Sequence, residues 1–190
     1  MSRFAPIVLP PSRADVAVGR LCLKNANPQL ECALQVVSLL ADEKAVLAAA
    51  AAIWIASRRR RRNEERREAD RLMVSVMLAG AVPHLFKLLV RRRRPDRSLV
   101  KARRNGIPRS GNAWDSFPSG HAVHMGAMAG SVARLAPQWL RAFVWPVLAT
   151  LAATRVALLA HYLSDVVAGW TMGLLINRVV AATFRRVRPD

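Results

Sequence analysis

A chain of 190 residues is long enough for one compact domain and leaves little room for a second. It combines a formal net charge of +18 with 53% hydrophobic residues, a pairing that is rare in soluble domains and in disordered basic tails. Arginines cluster at 58–62, 91–94 and 185–188, and long apolar segments separate the clusters. A nucleic-acid binder would expose its basic residues on a water-soluble face, so this pattern favours a membrane protein that binds no nucleic acid.

The N-terminal residues 1–40 are predicted to form an interfacial or loop segment that precedes a membrane domain at 41–190. The apolar residues of this segment form no run long enough to span a bilayer. It also lacks the pattern of a cleavable signal, which disfavours a soluble exported protein. Four prolines interrupt any long helix there: Pro6, Pro10, Pro11 and Pro28.

Five apolar segments follow, and a helix needs roughly 20 such residues to span a bilayer. The first, 45–57, reaches that length only by extending back toward Leu34 across the charged residues 42–44. The other four cover 72–90, 120–135, 139–160 and 164–184. The sequence therefore predicts an all-α fold, an integral membrane helical bundle of about five spans.

Two features within these segments concern helix geometry. Pro83 is expected to kink the second span without ending it. Gly126 and Gly130 lie four residues apart in the third span, a spacing that lets another helix approach closely. The third span is therefore expected to pack tightly against a neighbour.

The arginine-rich residues 58–67 are expected to form a solvated loop on the cytoplasmic side, where short basic loops tend to remain. Alternating crossings then place the loop 91–119 and the junction near residue 161 outside. The loop 91–119 is equally basic, so charge alone does not fix the orientation unless its arginines have a function.

Residues suited to holding a phosphate group fall at the predicted membrane boundaries. Lys87 lies near the end of the second span, where a lysine is costly unless it snorkels or binds an anion, and Arg94 follows it. Ser119 and Gly120 belong to a small turn into the third span, whose free backbone N–H groups suit a phosphate. Alternating crossings put these residues and the adjacent His121 on the same side as Thr154-Arg155, near the end of the fourth span, and as His161 and Asp165, at the start of the fifth.

With this spacing the chain resembles the type-2 phosphatidic acid phosphatase superfamily, whose motifs read Lys-x6-Arg-Pro, Pro-Ser-Gly-His and Ser-Arg-x5-His-x3-Asp. The resemblance covers about residues 72–176, and a threonine at 154 keeps the hydroxyl of the usual serine. Many members carry six spans, with the first motif after the third; here it follows the second. The motifs stand here as Lys87 with Arg94-Pro95, as Pro118-Ser119-Gly120-His121, and as Thr154-Arg155 with His161 and Asp165.

The resemblance implies a phosphatase whose active site lies at one membrane surface and requires neither cofactor nor metal. His161 would attack phosphorus and form a phosphohistidine. Asp165, on the same helix face, would hold one ring nitrogen of His161 protonated. His121 would protonate the departing oxygen and later activate water. The phosphoryl oxygens would be held by Lys87, Arg94, Arg155 and the backbone at Ser119 and Gly120.

Three kinds of function stay open at this point. The partners of a lipid phosphatase are membrane lipids and a lipid phosphate, either a polyprenyl diphosphate such as undecaprenyl diphosphate, phosphatidic acid or phosphatidylglycerol phosphate. The alternatives are a phosphatase or phosphotransferase for soluble esters, and a non-catalytic protein that binds anionic lipid. The expected location is a bacterial inner membrane with the site facing the periplasm or exterior. Arg91, Arg92 and Arg93 are interpreted as anchors to lipid headgroups, and His124 as a packing residue.

Overall fold

A computed structural model of the chain describes residues 6–59, 62–100 and 111–186. Within them, eight α-helices account for most of the structure, and two short strands pair in parallel, Ile7 with Val90 and Val8 with Arg91. Single 3-10 turns precede the third and the seventh helix. The strands are β1, Ile7–Val8, and β2, Val90–Arg91; the helices are α1, Arg13–Lys24; α2, Pro28–Ser38; α3, Glu43–Arg59; α4, Asn63–Leu89; α5, Pro95–Ser98; α6, Gly120–Leu135; α7, Arg141–Ala157; and α8, Leu163–Arg186.

Helix α6 lies at the centre of the bundle and packs against α4, α7 and α8. Small residues allow this packing, because a Cβ at Gly126 would lie 2.3 Å from the carbonyl oxygen of Trp170. A Cβ at Gly130 would lie 2.3 Å from Oδ1 of Asn177. Both glycines therefore let α8 approach α6 closely, which confirms the prediction made from their spacing.

The outer faces of the long helices are apolar. Large side chains such as Met77, Phe143, Val167, Leu175 and Val179 are exposed there. An exposed apolar surface of this extent suits contact with lipid tails, since water would disfavour it. The bundle is thus apolar both in its core and around its outside.

Among the residues that the structure describes, three helical segments are long and apolar enough to cross a membrane: Asn63–Leu89, Gln138–Ala157 and Leu163–Arg186. Helices α3 and α6, with 17 and 16 residues, are shorter than the roughly 20 residues of a straight crossing. The prediction of about five spans corresponds to these five helices. The predicted span at 120–135 coincides with α6, and Pro83 lies inside α4 without ending it.

The predicted loop at 58–67 is partly wrong, because α4 already begins at Asn63. Two glutamates in its first turn, Glu64 and Glu65, stabilise the positive end of the helix dipole. Farther along the same helix, Glu68 pairs with Arg71 and with Arg134 of α6. Local charge pairing therefore stabilises helix in residues that the sequence analysis assigned to a solvated loop.

The first span does not extend back toward Leu34 as predicted. The chain bends at Asp42, whose carboxylate accepts a hydrogen bond of 3.0 Å from the backbone N–H of Lys44, so α3 begins at Glu43. The residues before it form α1 and α2, which pack against α7 and α8. The division of the chain near residue 40 stays a prediction.

Candidate active site

A cavity of about 250 Å³ lies where the start of α3, the end of α4, the start of α6 and the end of α7 meet. These four helices alternate in direction along the chain, which brings the four ends to one side, as alternating topology predicts. The structure thus gathers residues that are far apart in sequence. The predicted site residues that line the cavity are Lys87, Arg94, Gly120, His121, Arg155 and His161.

The two ring nitrogens of His161 have different partners. Nδ1 lies 2.6 Å from the carbonyl oxygen of Ser116, and Nε2 lies 3.1 Å from Nη1 of Arg94. A carbonyl only accepts and a guanidinium only donates, so Nδ1 carries the proton and Nε2 presents its lone pair. The lone pair therefore lies beside an arginine that is able to hold a phosphoryl oxygen.

His161 is 4% exposed and is held neutral by its surroundings. Burial, together with the positive charges of Arg94 and Arg155, lowers the pKa of the imidazole well below its usual range. The hydrogen bond to Ser116 acts in the opposite direction but does not reverse the shift. A neutral imidazole is the form required for nucleophilic attack.

Asp165 does not contact His161 as closely as the sequence indicated. Its Oδ2 is 4.0 Å from Nδ1 of His161, and the same oxygen accepts hydrogen bonds from the Ser116 hydroxyl at 2.6 Å and the Tyr162 backbone at 2.8 Å. Its Oδ1 pairs with Arg92. Asp165 thus positions Ser116, and the carbonyl of Ser116 accepts a hydrogen bond from the Nδ1–H of His161.

The two residues of the turn at the start of α6 differ in their exposure to the cavity. Ser119 is fully buried, and its backbone N–H donates to the carbonyl of Asp165 at 3.2 Å, so this N–H is already engaged within the protein. Gly120 lines the cavity, and a Cβ there would meet no atom within 4 Å. The Ser119 N–H therefore differs from its predicted role, while the phosphate-binding role of Gly120 stays a prediction.

Arg92 is not a lipid anchor, and that interpretation was wrong. The side chain is 2% exposed and forms ion pairs with Asp15 at 2.7 Å and with Asp165. Its Nη1 also donates to the Ser164 hydroxyl at 2.7 Å. Arg91 and Arg93, on either side of it, are exposed. Sequence alone did not distinguish these arginines because their local context is the same.

The N-terminal helix α1 holds the other end of this network. Asp15 accepts hydrogen bonds from the backbone and the hydroxyl of Ser164, at 2.9 and 2.8 Å. Burial disfavours the charge, but these hydrogen bonds and those from Ser12 outweigh it and hold the pKa of Asp15 well below its usual range. The carboxylate is therefore ionised where it faces Arg92.

Arg155 is held from the N-terminal side as well. Its Nη1 donates a hydrogen bond of 3.0 Å to the hydroxyl of Ser38, at the end of α2. The neighbouring Thr154 is buried, and its hydroxyl donates to the carbonyl of Leu151 in its own helix. The threonine hydroxyl is therefore hydrogen-bonded within its own helix, and of this pair only Arg155 lines the cavity.

Two acidic residues that the sequence analysis did not propose, Asp42 and Glu43, also line the cavity. A usable signal was present, because the topology that groups the motifs also places the start of the first span on that side. Asp15, Ser116 and Ser164 carried no such signal, since their partners are chosen by packing between distant segments.

A family model described as the PAP2 superfamily matches residues 69–189. Two curated relatives, from Rhizobium johnstonii and Rhizobium etli, are each named lipid A 1-phosphatase. They are 36% and 35% identical over 120 residues, which is 60% of this chain and 47% and 50% of theirs. The chain thus spans about half the length of the curated relatives that it matches.

Two solved structures have a similar fold. The crystal structure of Aquifex aeolicus LpxE has a TM-score of 0.73 at 16% identity and covers 93% of this chain and 99% of its own. A transmembrane PAP2 type phosphatidylglycerolphosphate phosphatase from Bacillus subtilis has a TM-score of 0.65 at 18% identity, covering 92% and 86%. At these identities the likeness concerns the fold alone, and it confirms the all-α membrane bundle.

Proposed function

The chain belongs to the PAP2 superfamily, and from this membership we propose that it is a membrane phosphatase that removes phosphate from a lipid. The observation that carries the proposal is the unprotonated Nε2 of His161, which lies beside Arg94 in a basic cavity. Attack by Nε2 forms a phosphorus–nitrogen bond and releases the lipid oxygen. Water then hydrolyses the phosphohistidine and releases inorganic phosphate.

The cavity supplies the positive charge that such a reaction requires. Lys87, Arg94 and Arg155 line it together, and burial strengthens their interaction with a phosphoryl group. Arg94 is also fixed because it donates hydrogen bonds of 2.9 Å to the carbonyls of Asn112 and Ala160. A guanidinium held in this way is oriented before the substrate binds.

His121 and Asp165 have separate roles in the proposal. His121 lines the cavity with His161 and donates a proton to the departing lipid oxygen, then accepts one from the hydrolytic water. Asp165 acts as a positioning residue through Ser116, whose hydroxyl it holds at 2.6 Å. The Ser116 carbonyl keeps the attacking tautomer of His161 in place.

The substrate is proposed from the relatives and from the position of the cavity. Because both curated relatives are lipid A 1-phosphatases, a lipid that carries phosphate on a glycosyl 1-position is the first substrate to test. Polyprenyl diphosphate, phosphatidic acid and phosphatidylglycerol phosphate complete the panel. A cavity at the helix ends lets the headgroup enter while the acyl chains stay in the bilayer.

The proposed location is a bacterial inner membrane, with the cavity facing the periplasm or exterior. Helix α3 ends at Arg59 and α4 begins at Asn63, each at the end of its helix opposite the cavity, and a short sequence rich in arginine between two spans favours the cytoplasm. The orientation is tested with an impermeant thiol reagent in intact cells, using a cysteine introduced at the exposed Arg93 after the free Cys22 and Cys32 have been replaced by serine. Labelling of Arg93→Cys without lysis supports it, and labelling only after lysis contradicts it.

The function itself is tested by phosphate release from the detergent-purified protein across this lipid panel and soluble esters, with a chelator present. Release that disappears in His161→Gln supports the proposal. Release by the variant at the wild-type rate contradicts the assignment of His161. Hydrolysis of soluble esters alone would favour the small-substrate alternative, and lipid binding without release would favour the non-catalytic one.

The covalent step has its own measurement. With a phosphate-labelled aryl phosphate, whose leaving group departs without a proton, His121→Asn is expected to accumulate labelled protein, because only hydrolysis of the intermediate then needs His121. The label should be lost in acid and retained in alkali, as for a phosphoramidate. His161→Gln should trap none. Label that survives acid, or that forms without His161, would contradict the phosphohistidine.

A further inference from the structure

Part of the cavity wall carries residues that the proposed chemistry does not use. Glu43 lies at the start of α3, and His124 lies in α6 one turn beyond His121. Both line the same cavity as the basic residues. The model match to the PAP2 superfamily begins at residue 69, so Glu43 lies outside it.

His124 is the first sign that this wall binds a ligand. The residue is 3% exposed, and its Nδ1 has no hydrogen-bond partner in the part of the chain that the structure describes. A buried polar atom without a partner costs about 1–3 kcal/mol. Because the His124 side chain also lines the cavity, its imidazole is available to a ligand bound there, which would satisfy its unmet hydrogen-bonding capacity.

The carboxylate of Glu43 and the imidazole of His124 both approach the same point beside Gly80. A Cβ at Gly80 would be 2.9 Å from Oε1 of Glu43 and 3.9 Å from Cε1 of His124. The two side chains therefore converge above Gly80, where the missing side chain leaves room for them. Gly80 itself lines the cavity.

The chemistry of this pair selects a class of ligand. A carboxylate repels a second phosphate group and accepts hydrogen bonds from hydroxyl or ammonium groups. An imidazole nitrogen accepts from the same groups, or donates to a hydroxyl oxygen. Across the described ranges, no cluster of three or more His, Cys, Asp and Glu side chains is arranged for a metal ion.

We infer that Glu43 and His124 form a specificity subsite that binds a hydroxyl or amino group of the headgroup carrying the scissile phosphate. The inference rests on the proposed function and narrows its substrate class. Sugar headgroups carry such groups beside the phosphate, whereas a phosphate attached directly to a polyprenyl chain has none. The subsite thus favours glycosyl phosphates over polyprenyl phosphates.

The test compares kcat/KM for a glycosyl 1-phosphate lipid and a polyprenyl monophosphate with the same purified protein. Glu43→Ala is expected to lower kcat/KM for the glycosyl phosphate by about tenfold to a hundredfold, mostly through KM, and to leave the polyprenyl value within about twofold. Glu64→Ala is the matched control, because Glu64 occupies the first turn of α4 as Glu43 does that of α3.

Gly80→Ala provides a second variant that keeps the charge. The added methyl would displace the flexible end of Glu43, so the same loss of selectivity is expected. Equal losses on both substrates, or unchanged selectivity in both variants, would overturn the subsite. A wild-type protein that hydrolyses neither lipid would instead overturn the proposed function, so the two failures are distinguishable.

Discussion

Arg92 and Arg94 lie on one short segment, separated by a single residue, but they contact different regions of the molecule. Arg92 is 2% exposed and pairs with two carboxylates, those of Asp15 and Asp165. Arg94 lines the cavity, donates to backbone carbonyls and contacts His161. The first arginine therefore joins segments of the fold, and the second offers its charge to a ligand.

The contacts of Arg92 also show which segments of the chain support the site. Asp15 belongs to α1, outside the residues that the PAP2 model matches, yet it binds Ser164 and Arg92, and Arg92 in turn pairs with Asp165. Ser38 of α2 likewise holds Arg155. The N-terminal helices are therefore part of the support of the site, although the family motifs all lie after them.

The largest effect is expected from Arg92→Met, which leaves Asp15 and Asp165 buried without their shared cation. Loss of one partner from a buried ion pair costs about 3–5 kcal/mol, so the free energy of unfolding should fall by that amount. Thermal unfolding in detergent measures it, with Arg93→Met as the exposed control. A loss of unfolding free energy no larger than that of the control would show that the Arg92 ion pairs do not stabilise the fold.

Arg94→Lys should act on catalysis more than on folding. Lysine keeps the charge but loses the planar fork, so kcat/KM is expected to fall on the order of 100-fold, equivalent to about 2.7 kcal/mol. Phosphate release from the preferred lipid measures this, and Arg93→Lys should stay near the wild-type rate. The comparison between the two regions fails if Arg94→Lys lowers unfolding stability as much as Arg92→Met does.

Asp15→Asn keeps the shape of the side chain and removes its charge. The hydrogen bonds to Ser164 weaken and Arg92 loses one of its two carboxylates, so we expect a loss of about 1–3 kcal/mol at neutral pH. Because the folded-state pKa of Asp15 is lowered, its contribution is present above about pH 4 and is lost as pH falls through the folded value. The stability difference between wild type and variant should therefore narrow in acid; a constant difference would contradict this.

The smallest effect concerns the neutral state of His161. Its folded-state pKa is lowered well below 6.5, so at lower pH the unfolded chain binds a proton there that the folded chain does not. The free energy of unfolding should therefore fall as the pH falls below about 6.5, by at most about 1.4 kcal/mol per pH unit. His161→Gln lacks this dependence. Unfolding of both proteins between pH 7.5 and 5 measures the difference without substrate, and parallel curves would show that His161 is not held neutral.

Much of this architecture followed from sequence alone. Bilayer-length apolar segments predicted the helical bundle, and the motif spacing identified the family that the comparison confirms. The alternation of spans placed Lys87, His121 and His161 at one end, where the structure has its cavity. These features depend on segment length and on the order of residues along the chain, so they are readable without coordinates.

Other features were decided only by tertiary packing. The charge pattern made Arg92 resemble its exposed neighbours, and helical spacing assigned Asp165 to His161, whereas the fold directs Asp165 to Ser116 and Arg92. Asp15 meets Ser164 from the opposite end of the chain. A hydrogen-bond partner is selected by which groups become buried together, and no local periodicity or motif encodes that choice.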